Sequence, residues 1–213
     1  MVKTAILVSG KGTNLQAIID AKIFGEIRNC DLCAVISSNP DAYAIERAKY
    51  AKIPVFIVDR SIFPNVTSFT RALKEKLDDL DIELIVYAGF NFILGDLLTN
   101  AYKNKIINIH PSLVPSFCGP GFYGIKVHER VLAHGVKITG ATAHFATDVV
   151  DDGPIILQKA VPVLDDDTPQ TLQRRVMEEA EWIILPEAIS LFCEKRLVVD
   201  GRNVKIKKGL DDD

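Results

Sequence analysis

Short apolar runs alternate along the chain with longer amphipathic ones. Residues 4–9 (TAILVS), 32–38 (LCAVISS), 53–59 (IPVFIVD), 82–89 (IELIVYAG) and 105–110 (KIINIH) are mostly apolar and rich in β-branched side chains, the texture of strands buried on both faces. Between them, 15–23 (LQAIIDAKI), 42–52 (AYAIERAKYAK), 67–80 (TSFTRALKEKLDDL) and 94–103 (LGDLLTNAYK) have the helical texture, several with apolar residues at helical spacing. This alternation predicts an α/β fold: a doubly wound, mostly parallel sheet with helices on both faces. Ligands of such sheets bind beyond the carboxyl ends of the strands.

The pattern changes after Ile109. Residues 110–124 (HPSLVPSFCGPGFYG) are rich in Pro, Gly and aromatics and read as an ordered loop over the sheet edge, of a length that is often functional. A short helix (125–135) and two strands (138–147 and 154–163) follow. A long helix then starts where Thr168 can cap and Pro169 takes the favoured first position, and it runs through residues 172–194 with a break or kink near Pro186. The tail from Arg196 reads as a terminal hairpin with an acidic end.

Composition narrows the function. The 213 residues, 48% hydrophobic, suit one α/β domain of ordinary size. Lys and Arg total 25 against 28 acidic residues, a net charge of -3, with none of the basic excess that a nucleic-acid partner selects. Neither a signal-peptide core nor an apolar stretch of membrane-spanning length is present, so the reading is a cytoplasmic protein without a membrane partner. Cys30 and Cys33 form a lone C-x-x-C; on a strand they point to opposite faces and cannot close on one metal. No H-E-x-x-H string occurs among the four histidines either, and no metal is expected.

Two constellations carry chemistry. The first is Ser9–Asn14 (SGKGTN), a glycine-rich turn between a strand and a helix. It lacks the P-loop string, and Leu15 stands where a dinucleotide fingerprint needs a small residue. What remains is Gly12, Thr13 and Asn14 at a helix N-terminus, where free N–H groups and the helix dipole favour one anion, a monophosphate; the plainer alternative is a structural turn with Asn14 as a cap. The second constellation is His110, at the end of its strand before Pro111, with Asn108 two positions earlier on the same face. An amide donor beside an imidazole makes an oxyanion site for acyl transfer. The turn DVVDDGPI offers Asp148, Asp151 and Asp152 as the acid or base. A carboxylate near His110 would favour the imidazolium and take a proton from an attacking amine.

The strings SGKGTNLQAIID, YAGFNFIL, NIHPSLVPSF, TGATAHFATDVVDDGPIILQ and AEWIILPEAI together resemble the phosphoribosylglycinamide formyltransferase family over nearly the whole chain. The resemblance implies a single domain over 1–213 with the Rossmann-like formyltransferase fold. Its half 1–105 would bind the nucleotide phosphate, and its half 106–213 would bind folate and catalyse. It further implies transfer of the formyl group of 10-formyltetrahydrofolate, the co-substrate, to the amine of 5-phosphoribosylglycinamide in purine biosynthesis, by a monomer or weak homodimer. Carried onto this sequence, the catalytic Asn, His and Asp fall on Asn108, His110 and Asp151. Substrate contacts fall on Gly12, Thr13, Asn14, Ser112 and Glu181. Folate contacts fall on Asn91, Phe92, Ile93 and Leu94, on Asn108 and His144, and on Ala146, Thr147, Asp148, Val149, Val150 and Asp151. Phe92 and Val66 stand where bacterial relatives often carry Arg. The alternatives are a 10-formyltetrahydrofolate hydrolase, a methionyl-tRNA formylase, or a non-catalytic nucleotide-binding regulator. The tRNA enzyme would be expected to bring a C-terminal module and basic surface, and the hydrolase an N-terminal regulatory domain.

Overall fold

The computed structural model describes residues 1–90, 92 and 94–209. Five parallel strands, β1 (Val2–Val8), β2 (Cys30–Ser37), β3 (Val55–Ile57), β4 (Leu84–Tyr87) and β5 (Ile106–His110), are joined by α1 (Thr13–Ile23), α2 (Ala44–Tyr50), α3 (Val66–Asp79) and α4 (Asp96–Ala101). After α5 (Ile125–Ala133), β6 (Ile138–Phe145) and β7 (Ile155–Pro162) extend the sheet antiparallel, giving the order β3-β2-β1-β4-β5-β6-β7. The expected mostly parallel, doubly wound sheet is present.

Strand alternation divides the interior into two cores. Ile6 and Val8 of β1 pack with Leu15 and Ile18 of α1 and with Val127, Leu172 and Ile189 from the later helices. Ala5 and Leu7 face the other way, toward Phe69, Leu73 and Leu77 of α3 and Leu98 of α4. Cys30 and Cys33 fall on these two opposite sides, as strand periodicity requires. Among the described residues, no group of three or more His, Cys, Asp or Glu is arranged to hold a metal, and no helix is long and apolar enough to cross a membrane.

Three expectations are revised. The run 53–59 yields only a three-residue strand, because Asp59 leaves the ladder to cap a 3₁₀ turn, accepting from the Ser61 N–H at 2.9 Å. Asn14 does not cap α1: Gly12 holds that position with φ 72° and no side-chain cap bond is made. The long helix does not break at Pro186. It divides earlier into α6 (Pro169–Val176), a π-helical turn (Met177–Glu181) and α7 (Trp182–Cys193), and Pro186 is buried inside α7. Proline removes the bond to the carbonyl four residues back, here that of Trp182. The widened turn ends next to this residue, so the irregularity is absorbed one turn upstream. Thr168 does cap α6, in a reciprocal arrangement with Thr171. The tail forms the hairpin β8 (Leu197–Asp200) and β9 (Asn203–Ile206), docked on the core through Leu197, Val199 and Val204.

Candidate functional site

A cavity of about 560 Å³ opens at the carboxyl ends of β4 and β5, where an open α/β sheet is expected to bind its ligand. Thr13 and Asn14 line one end. Asn108, His110, His144 and Asp151 line the other, with Phe90, Phe92 and Leu94 along one wall and Gly119 to Gly124 of the long loop along another.

The polar cluster follows from strand register. β5 and β6 pair antiparallel with Asn108 opposite His144 and His110 opposite Thr142, so the amide and both imidazoles meet at one sheet edge. Asn108 Nδ2 donates to His144 Nε2 at 3.1 Å, and His144 Nδ1 faces the Phe145 carbonyl at 3.0 Å. A carbonyl only accepts, so His144 Nδ1 carries a proton, and Asn108, with one amide hydrogen toward Nε2, keeps a second for another partner. His110 Nε2 likewise donates to the Phe117 carbonyl at 3.0 Å, while its Nδ1 lies 3.4 Å from Asp151 Oδ2. Asp151 arrives on the turn between β6 and β7 in a left-handed conformation, φ 54°. It accepts the Gly119 N–H at 2.9 Å, and its Oδ1 is 3.7 Å from His144 Nε2. Gly153 fixes the far side of this turn, since any side chain there would overlap the Phe145 carbonyl.

Burial pushes the Asp151 carboxyl up, yet a hydrogen bond with His144, the positive charge the imidazoles carry when protonated and the Gly119 N–H hold it below the ordinary carboxylate range. For His110 burial is the largest influence and lowers its pKa; Asp151 and the Phe117 carbonyl oppose this without reversing it. Asp151 does favour the imidazolium, as expected, but burial outweighs it, because a buried imidazole gives up the hydration that stabilises its charge. With the proton on Nε2, the Nδ1 lone pair faces a carboxylate oxygen: two acceptors across 3.4 Å, a pair that becomes hydrogen-bonded when one proton arrives.

At the other end the left-handed Gly12 turns the chain into α1 so closely under α2 that a Cβ would lie 2.7 Å from that of Ala44. Asn14 is buried and its Nδ2 donates to Glu181 Oε2 at 2.7 Å, while its Oδ1 has no partner. Burial raises the Glu181 carboxyl to about 7, against the Asn14 bond that lowers it.

Thr13, Asn14, Glu181, Phe92, Leu94, Asn108, His110, His144, Ala146, Thr147, Val149, Val150 and Asp151 thus share one cavity. Gly12, Ser112 and Asp148 do not line it. Ser112 is fully buried and its hydroxyl donates to the Ser116 and Phe117 carbonyls at 2.6 and 3.3 Å. Asp152 turns outward to Arg202. Asn91 and Ile93 lie outside the described residues. The sequence reading overlooked Tyr87, Phe90, Thr99, Gln173 and Met177, which also line the cavity. Gln173, Met177 and Glu181 are four apart, a helical stripe that could have been extended back from Glu181.

Open α/β sheet, anion-ready helix start and an amide–imidazole–carboxylate cluster define the class: a group-transfer enzyme acting at an acyl-type carbon. The formyl transferase family model matches residues 2–189. A phosphoribosylglycinamide formyltransferase of Haemophilus influenzae is 40% identical over 197 residues, 92% of this chain and 90% of that protein. The Escherichia coli protein of that name is 38% identical over 196 residues, covering 90% and 87%. A solved structure of glycinamide ribonucleotide transformylase 1 from Symbiobacterium toebii superposes with a TM-score of 0.91 at 44% identity, covering 98% of this chain and 95% of that one. The chain belongs to the formyl transferase family.

Proposed function

We propose that this protein transfers the formyl group of 10-formyltetrahydrofolate to the amine of 5-phosphoribosylglycinamide, releasing tetrahydrofolate, as a cytoplasmic enzyme of purine biosynthesis. The observation that carries this reading is a single cavity with an anion-ready helix start at one end and the Asn108, His110 and Asp151 cluster at the other. The half 1–105 supplies the phosphate end, where backbone N–H groups of Thr13 and Asn14, set by the turn at Gly12, suit one phosphoryl group. Asn14 Oδ1 and the Glu181 carboxyl offer acceptors to hydroxyls of the attached sugar. The half 106–213 supplies the reacting end. The folate lies against Phe92, Leu94 and the Ala146–Asp151 turn.

In the reaction the amine nitrogen bonds to the formyl carbon, whose oxygen gathers negative charge. The second amide hydrogen of Asn108, a residue that lines the cavity, serves as a donor to this oxygen, and the amine's proton passes to the His110 and Asp151 pair, directly or through one water. His110 therefore becomes cationic while the oxyanion develops, so its attraction is greater in the transition state than in the ground state. The bond from the formyl carbon to N10 then breaks and the proton leaves with N10.

Following absorbance after mixing protein with 10-formyltetrahydrofolate, with and without phosphoribosylglycinamide, tests the reading. Deformylation only with the acceptor is expected. Deformylation without it would make the protein a hydrolase, and no deformylation with either would leave a binding protein.

A further inference from the structure

The turn that carries Asp151 is held from outside as well as from within. Arg202, at the tip of the β8–β9 hairpin, grips Asp152 with both terminal nitrogens, at 3.0 and 2.9 Å from its two carboxylate oxygens. A planar fork on a carboxylate fixes orientation as well as distance. The hairpin is a firm anchor, because Leu197, Val199 and Val204 pack on the main core and, at its base, the Lys207 N–H donates to the Arg196 carbonyl while Arg196 Nε donates to the Lys207 carbonyl. One residue further on, Gly153 is pinned under the Phe145 carbonyl and the Phe145 N–H donates to the Pro154 carbonyl at 2.9 Å. Asp151, left-handed at φ 54°, immediately precedes these two fixed residues, so its backbone is led out of the turn through Asp152 and Gly153. Left-handed backbone is less favourable than the ordinary regions even for an Asp, which tolerates it better than most residues, so contacts that hold the turn add to its stability.

We propose that Arg202 and Asp152 form an external brace that holds the Asp151 turn in its working conformation, making both of them positioning residues for formyl transfer. The pair is exposed, with side chains 70% and 51% accessible, so its effect is modest and sensitive to salt. The inference rests on the transferase reading for its kinetic part only.

Arg202→Ala and Asp152→Ala should each lower kcat about threefold to fivefold, with KM for phosphoribosylglycinamide within about twofold, since the phosphate end is untouched. The double variant should be no slower than either single one, and the exchanged pair Asp152→Arg with Arg202→Asp should recover most of the loss. Raising salt to about 1 M, where charges are screened within about 3 Å, should bring wild type toward the variants. Amide hydrogen exchange over residues 147–153 should accelerate in both single variants whether or not turnover is measured. Wild-type exchange in that turn, or additive losses without recovery in the exchanged pair, would overturn the brace. A wild-type protein that transfers no formyl group would sink the transferase reading, and exchange alone would then decide the brace.

Discussion

The two ends of the cavity are built from different parts of the chain. At the end proposed to take the phosphate the main contributor is backbone: a left-handed Gly12 and the first amides of α1, with the buried Asn14 and Glu181 beside them. At the reacting end the contributors are side chains, delivered by the β5–β6 register and by one strained turn. A backbone site depends on φ and close approach and is indifferent to most side chains. A side-chain site depends on functional groups, and its geometry survives substitutions that abolish its chemistry. The sharpest test therefore lies at the reacting end. Asn108→Ala, His110→Ala and Asp151→Asn should each slow kcat by about a hundredfold to a thousandfold while KM for phosphoribosylglycinamide stays nearly constant, the signature of interactions made only in the transition state. Single-turnover kinetics would show it; a variant as fast as wild type removes its residue from the chemistry.

The second test separates the ends by pH. Folding raises the Glu181 pKa from an ordinary 4.5 to about 7 through burial, so the folded state keeps a proton that the unfolded chain has already released. That contribution to stability is complete below about pH 4.5 and lost as pH rises through 7. It should appear as about 3 kcal/mol of declining unfolding free energy across that window. Glu181→Gln should flatten this part of the curve in denaturant titrations. An unchanged slope would mean that Glu181 is not the group responsible.

The backbone end has its own test. Gly12→Val places a β-branched side chain at φ 72° against Ala44, where left-handed backbone alone costs about 1–2 kcal/mol. We expect a loss of about 2 kcal/mol in stability and a rise of about tenfold in KM for the ribonucleotide, with kcat for bound substrate little changed. If kcat falls and KM does not, the two ends are mechanically one.

This division also governs what could be read beforehand. Strand and helix alternation survives in the sequence because each element writes its own period, so the parallel sheet and the carboxyl-edge site were legible. Asn108 and His110 were legible together because a strand repeats every two residues. The pairing of Asn108 with His144 was not, since it depends on β6 returning antiparallel in one particular register. Nor could the π-helical turn that ends at Glu181 be read, because it answers to the helix around Pro186 and not to local spacing. The lowering of the His110 pKa is a property of burial, which no adjacent residue encodes.

Ser112 supplies the smallest and most discriminating prediction. The family resemblance assigns it to the substrate, but the structure gives its hydroxyl to the Ser116 and Phe117 carbonyls, and Phe117 is also the acceptor for His110 Nε2. If the hydroxyl serves the loop, Ser112→Ala removes about 1 kcal/mol of neutral hydrogen bonding. His110 then loses some of its fixed orientation, and kcat falls by no more than about fivefold. KM for the ribonucleotide should not move, because the α1 end remains intact. A tenfold rise in KM at constant kcat would instead assign Ser112 to the phosphate end and erase the boundary between the two regions at this residue.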